Sequence, residues 1–190
     1  EKGYNVLATG EMGIGNTTTS SAVCSVLLDQ SVEKVTGKGA GLTNKDLEHK
    51  IEVIRQSIAL NKVNADDPLD VLAKVGGLDI AGMAGCYIGG AALNIPVFID
   101  GFISSVAALI AIRLVPECAP YLFPSHCSNE PAGRMILDAI GKQPYIFANM
   151  CLGEGTGAVM GFTIADYAFK AYWELPSFEQ TNFGTYEELN

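Results

Sequence analysis

Short apolar runs alternate along this chain with longer stretches in which apolar residues recur every three or four positions. The run YNVLA, from Tyr4 to Ala8, ends at a glycine turn and predicts a buried strand. Asn16 to Leu28, opened by threonines and built of small residues, predicts a helix. Val32 to Thr36 leading into GKGAG, and then Asn44 to Leu60, repeat the order of strand, loop and helix. In that second helix Leu47, Ile51, Ile54 and Ile58 form one stripe, and Thr43 is placed to cap it. A turn from Asn64 to Pro68 precedes a short helix, Leu69 to Val75, and a glycine-rich one, Leu78 to Ala92. IPVFID, from Ile95 to Asp100, predicts another buried strand, and Phe102 to Leu114 a helix apolar enough for the core. Glu117 to Pro124 is expected as a proline-punctuated loop and Pro131 to Ile140 as a helix. Tyr145 to Met150 is the last strand candidate, and Gly157 to Trp173 the closing helix.

Continuous apolar strands separated by helices specify an α/β fold, a parallel sheet with helices on both faces. For 190 residues, 48% of them hydrophobic, one such domain suffices. Ligands of these sheets collect beyond the carboxyl ends of the strands. The glycine loops at those ends are therefore where chemistry is expected.

Charge and composition narrow the classes. With 21 acidic residues against 12 basic ones the net charge is -9, and no basic stripe is present, which argues against a nucleic-acid partner. The longest apolar stretch, Phe102 to Val115, contains Ser104, Ser105 and Arg113 and falls short of the roughly 20 residues a membrane-spanning helix needs. Cys24, Cys86, Cys118, Cys127 and Cys151 are odd in number and lack CxxC or CxxH spacing, as expected of reduced thiols in a cytoplasmic protein without a metal site. The opening Glu1-Lys2-Gly3 runs into a strand at once and reads as the middle of a longer protein.

Two loops stand out. GEMGIGNTTT, Gly10 to Thr19, has the glycine spacing of a phosphate loop, but Asn16 occupies the lysine position, so a nucleoside triphosphatase loses its key cation. It fails as a dinucleotide fingerprint too, because no third glycine follows Gly13 and Gly15. What remains is a backbone able to approach a ligand closely and helix-opening amides that receive an anion, such as a phosphomonoester. Glu11 is awkward beside an anion unless it faces something that carries or donates a proton. LGEGTG, Leu152 to Gly157, repeats the pattern with Glu154 between two glycines. A buried carboxylate so placed can take a proton from an N–H nucleophile or stabilise a developing cation. The plainer alternative is that each glycine run is a tight turn and each glutamate a helix-opening residue.

GEMGIGNTT, VTGKGAGL, GGLDIAGMAG, IPVFIDGF, SHCSNEPAG and LGEGTGA, in that order, resemble the successive signature segments of nicotinate-nucleotide:dimethylbenzimidazole phosphoribosyltransferases. The resemblance runs from about residue 4 to the closing FGTYEELN and covers the family's carboxy-terminal half. It implies a Rossmann-like core over residues 1–160. Residues 161–190 would be a helix and tail contributing to a smaller helical part. It further implies a homodimer that exchanges the nicotinate of nicotinate mononucleotide for dimethylbenzimidazole, giving α-ribazole 5′-phosphate for the cobalamin nucleotide loop, with no cofactor. In the family the LGEG glutamate is the general base, which carries over to Glu154, and the GEMG glutamate, here Glu11, lies near the same base. Phosphate and ribose contacts carry over to Gly13, Gly37, Gly39, Ser128, Leu152 and Gly153. The amino-terminal part, which walls much of the benzimidazole site, lies outside the resemblance.

Other candidates follow from the residues themselves. Lys50, on the helix after GKGAG, either reaches an anion or solvates the helix surface, and Lys38 is the weaker choice. Asp79 and Asp100 suit helix capping, with Asp100 at a strand end the better substrate-site residue. His126 lacks the G-x-S-x-G elbow of a serine hydrolase and suits structural or substrate-orienting use. Phe162, Phe169, Tyr172 and Trp173 recur at near-helical spacing, as core or dimer surface. Two further readings stay open: a truncated, inactive module that retains only phosphate binding, and a transferase that uses adenine or phenolic acceptors.

Overall fold

A computed structural model describes residues 3–181; the FGTYEELN terminus lies outside the described residues. Among the described residues three short strands, β1 (Leu7–Ala8), β2 (Val97–Ile99) and β3 (Leu122–Pro124), form a parallel sheet in the order β1-β2-β3. Leu7 pairs with Val97 and Ala8 with Phe98 on one side. Val97, Phe98 and Ile99 pair with Leu122, Phe123 and Pro124 on the other. All three residues of β2 are buried, as its central place requires.

Eight α-helices among the same residues surround the sheet: α1 (Asn16–Leu27), α2 (Val32–Val35), α3 (Asn44–Asn61), α4 (Pro68–Val75), α5 (Leu78–Ala92), α6 (Phe102–Leu114), α7 (Gly133–Ala139) and α8 (Thr156–Glu174). Helix α6 is the pillar of the core, with every residue from Phe102 to Ala111 buried, and α1, α4, α5 and α7 pack around it. Two glycines bring helices onto opposite faces of β2. A Cβ on Gly90 of α5 would strike Val97, and one on Gly161 of α8 would strike Phe98. Val97 and Phe98 point to opposite faces, so helices do cover both sides. Local chemistry sets the helix starts: Thr43 Oγ1 accepts the Asp46 amide at 3.2 Å, and Asp67 accepts the amides of Leu69 and Asp70 ahead of Pro68 in the first turn.

Three sequence expectations change. The run from Val32 to Thr36 is a single helical turn rather than a strand, because Val32 and Val35 lie three apart and are buried together while Glu33 and Lys34 face solvent. The proline-punctuated loop contains a 3₁₀ turn, Pro116–Tyr121, and strand β3. Pro124 is tolerated there because β3 is an edge strand of the three. The stretch from Tyr145 to Met150 contributes one parallel bridge, His126 to Ile146, instead of a full strand.

Candidate active site

The loops leaving the carboxyl ends of β1 and β2 meet the loop before α8. Beyond β1 the chain enters left-handed backbone at Gly13 and Gly15, with φ of 72° and 82°. There Glu11 folds back on its own loop, and its Oε2 accepts the Gly13 amide and the Asn16 Nδ2 amide, both at 2.5 Å. Asn16 Nδ2 also donates to Asp79 Oδ2 at 2.8 Å, tying α1 to the start of α5. The carboxylate that looked misplaced beside an anion site is thus hydrogen-bonded by donors of its own segment.

Beyond β2, Asp100 is 1% exposed and serves the N-terminus of α8: Oδ2 accepts the Gly155 amide at 2.9 Å, and Oδ1 those of Gly157 and Ala158 at 2.8 and 3.2 Å. Gly157 is obligatory, since a Cβ there would run into the His126 ring and Asp100. Buried His126 lies 3.1 Å from Ser125 Oγ through Nδ1. Burial pushes its pKa below the usual range, and the nearby Asp100 charge partly opposes this. Ser125 Oγ itself donates to the backbone oxygen of Ile99 at 2.8 Å, so no activated serine results. Glu154 stands just before α8 with φ of 59°, left-handed backbone that is uncommon for a side chain of this kind. Its amide donates to Glu11 O at 3.0 Å, joining the two glutamate loops by their backbones. Glu154 is exposed rather than buried as its glycine flanks suggested, because the turn before α8 lies at the surface.

The GKGAG loop closes the other side. Lys50 is 7% exposed, so it does not solvate its helix; Nζ donates to Thr17 Oγ1 at 2.9 Å and to Gly37 O at 3.0 Å. Among the described residues none of the ion pairs includes Lys50. Its pKa is lowered by burial, against the pull of Glu130. Glu130, on the loop after β3, presses Oε2 onto Gly37, where a Cβ would not fit. Burial raises its pKa, while Lys50 and the Gly39 amide act the other way. Gly39 is left-handed, at φ of 54°, and lies beside Thr17. Ser128 Oγ accepts the Glu130 amide at 3.3 Å. Lys38 is exposed.

One cleft joins these loops. Glu11, Gly13, Gly39, Ser128, Leu152 and Gly153 line it, as do Thr17, His126 and Glu130. Gly37 and Lys50 stand behind the wall that Thr17 and Glu130 form, Asp100 lies beneath, and Glu154 is one residue beyond Gly153. Thr17 and Glu130 were not singled out from the sequence. The available sequence signal for Glu130 was only a lone acid before proline in SHCSNEPAG. The cleft measures about 110 Å³, small beside the roughly 300–1,000 Å³ of typical ligand pockets. Among the described residues no group of His, Cys, Asp and Glu is arranged to hold a metal, and no helix is long and apolar enough to cross a membrane.

A family model described as phosphoribosyltransferase matches residues 1–183. The nicotinate-nucleotide–dimethylbenzimidazole phosphoribosyltransferase of Ruminiclostridium cellulolyticum is 53% identical over 189 residues, and its counterpart in Acetivibrio thermocellus 50% identical over 186. The chain belongs to the nicotinate-nucleotide–dimethylbenzimidazole phosphoribosyltransferase family. It spans about half the length of these relatives, all of this chain against 54% of the first and 98% of it against 53% of the second. The crystal structure of CobT from Thermus thermophilus superposes with a TM-score of 0.90 at 34% identity, covering 96% of this chain and 54% of that one. The α/β fold with its parallel sheet is therefore that of a phosphoribosyltransferase of this family.

Proposed function

We propose that this chain carries the catalytic wall of an enzyme that exchanges the nicotinate of nicotinate mononucleotide for dimethylbenzimidazole, giving α-ribazole 5′-phosphate. The observation that carries the reading is the convergence of both glutamate loops on one cleft, with the side chain of Glu11 committed to its own loop and that of Glu154 exposed beside Gly153. Glu154 takes the N–H proton of the azole, and the freed nitrogen pair attacks the anomeric carbon of the ribose. Nicotinate departs with the electron pair of the breaking glycosidic bond, which discharges its pyridinium ring. The phosphate sits against Gly37, Gly39, Thr17 and Ser128 with Lys50 as its cation, and Gly13, Leu152 and Gly153 approach the ribose by backbone. Asp100 contributes by fixing the loop of Glu154 on α8.

A homodimer working in the cytoplasm completes the reading. The exposed aromatic ridge of Tyr167, Tyr172 and Trp173 on α8 is surface that such an assembly, or the remainder of the relatives' length, would cover. The small cleft favours a second reading, a phosphate-binding module that lacks base exchange. One assay separates them: a full-length protein containing this chain, supplied with nicotinate mononucleotide and dimethylbenzimidazole, releases nicotinate under the first reading and only binds the mononucleotide under the second. Adenine and phenolic acceptors in the same assay report acceptor choice.

A further inference from the structure

The residues that would receive a phosphate are already facing an anion of the protein's own. Around Glu130 stand the buried ammonium of Lys50, the Gly39 amide, the hydroxyl of Thr17 and that of Ser128. Thr17 Oγ1 accepts from Lys50, so its own proton is free to donate, and the same holds for Ser128, whose oxygen accepts the Glu130 amide. Lys50 spends two of its three N–H groups on the neutral oxygens of Thr17 and Gly37. A buried ammonium bonded only to neutral acceptors needs a counter-charge. Glu130 is the carboxylate whose field acts on it, held against Gly37 by the lack of a side chain there.

We propose that Glu130 is an internal stand-in for the substrate's phosphate, an anion that keeps the Lys50 site compensated and must be displaced when a phosphomonoester binds. The inference rests on the transferase reading and adds a selectivity device to it. A free small anion gains Lys50 but loses Glu130's contacts, whereas a phosphorylated nucleotide adds its ribose and ring contacts to the exchange. Burial already weakens Glu130's hold on its charge, in keeping with a carboxylate that can be moved.

The test titrates full-length protein, wild type and E130Q, with nicotinate mononucleotide and with nicotinate riboside, which lacks the phosphate. Removing one like charge at close range should tighten mononucleotide binding roughly tenfold and leave the riboside unchanged. Equal or weaker mononucleotide binding by E130Q overturns the inference alone. A wild type that binds neither ligand overturns it together with the transferase reading. If E130Q does not fold, wild-type crystals with and without mononucleotide decide: a carboxylate that leaves Gly37 supports displacement, and one that stays beside a bound phosphate refutes it.

Discussion

The loops at residues 10–15 and 152–155 each place one glutamate between glycines at the same end of the sheet, and the protein uses the two carboxylates in opposite ways. Glu11 gives its oxygen to its own loop, through Gly13 and Asn16. Glu154 commits its backbone instead, donating to Glu11 O from a left-handed conformation that costs roughly 1–2 kcal/mol for a residue other than glycine. Glycine would hold that turn at lower energy. Similar local sequence patterns thus yield one carboxylate bonded to its own loop and one that is exposed.

The largest expected effect falls on the second loop. Glu154→Gln should lower turnover by roughly 10² to 10⁴ while mononucleotide binding persists, because the amide keeps the shape and cannot take the proton. Steady-state rates and a binding isotherm on full-length protein check this, and a variant with wild-type turnover would remove Glu154 from the reaction. Next comes the anchor beneath it. Asp100→Ala strips the acceptor from three amides opening α8 and should cost about 3 kcal/mol of stability in urea unfolding. An unchanged midpoint would show that the loop of Glu154 is held by something else.

How much of this contrast was legible in the sequence depends on whether the deciding information is local. Helices α5 and α6 have the expected boundaries, since their composition and flanking glycines are sufficient, and the six signature segments locate the loops of the cleft. Strand β3 was hidden because three residues ending in a proline carry no period, and only pairing with β2 makes them a strand. VEKV misled through its two valines, whose spacing of three is the helical one. In the cleft, Lys50 and Glu130 could not be linked from sequence, as eighty positions separate groups that meet only across the Gly37 loop. Asp100 was legible as a strand-end acid, but its service to α8 emerges only when residue 157 arrives beside it.

A smaller effect is expected at the first loop. Glu11→Gln retains an oxygen for the Gly13 amide, so loop geometry survives and kcat/KM should fall less than about tenfold. A loss matching that of Glu154→Gln would end the division of labour between the two glutamates.

The smallest effect separates the loops by pH. His126 packs against Gly157, in the first turn of the helix that follows the loop of Glu154. Burial holds its folded-state pKa below the ordinary 6.5, with Asp100 opposing and the neutral Ser125 hydroxyl at Nδ1. As pH falls beneath that ordinary value, the unfolded chain takes the proton before the folded one. Stability is therefore intact above it and declines below it, by up to about 1.4 kcal/mol per pH unit for this one proton. Glu130, with its raised pKa, acts with the opposite sign at more acidic pH, where the folded chain protonates first. His126→Gln should flatten the decline below about pH 6.5 in urea unfolding, whereas Glu130→Gln should retain it. Equal slopes in wild type and His126→Gln would mean that protonation strains neither loop, and that the contrast between the two glutamates rests on hydrogen bonding alone.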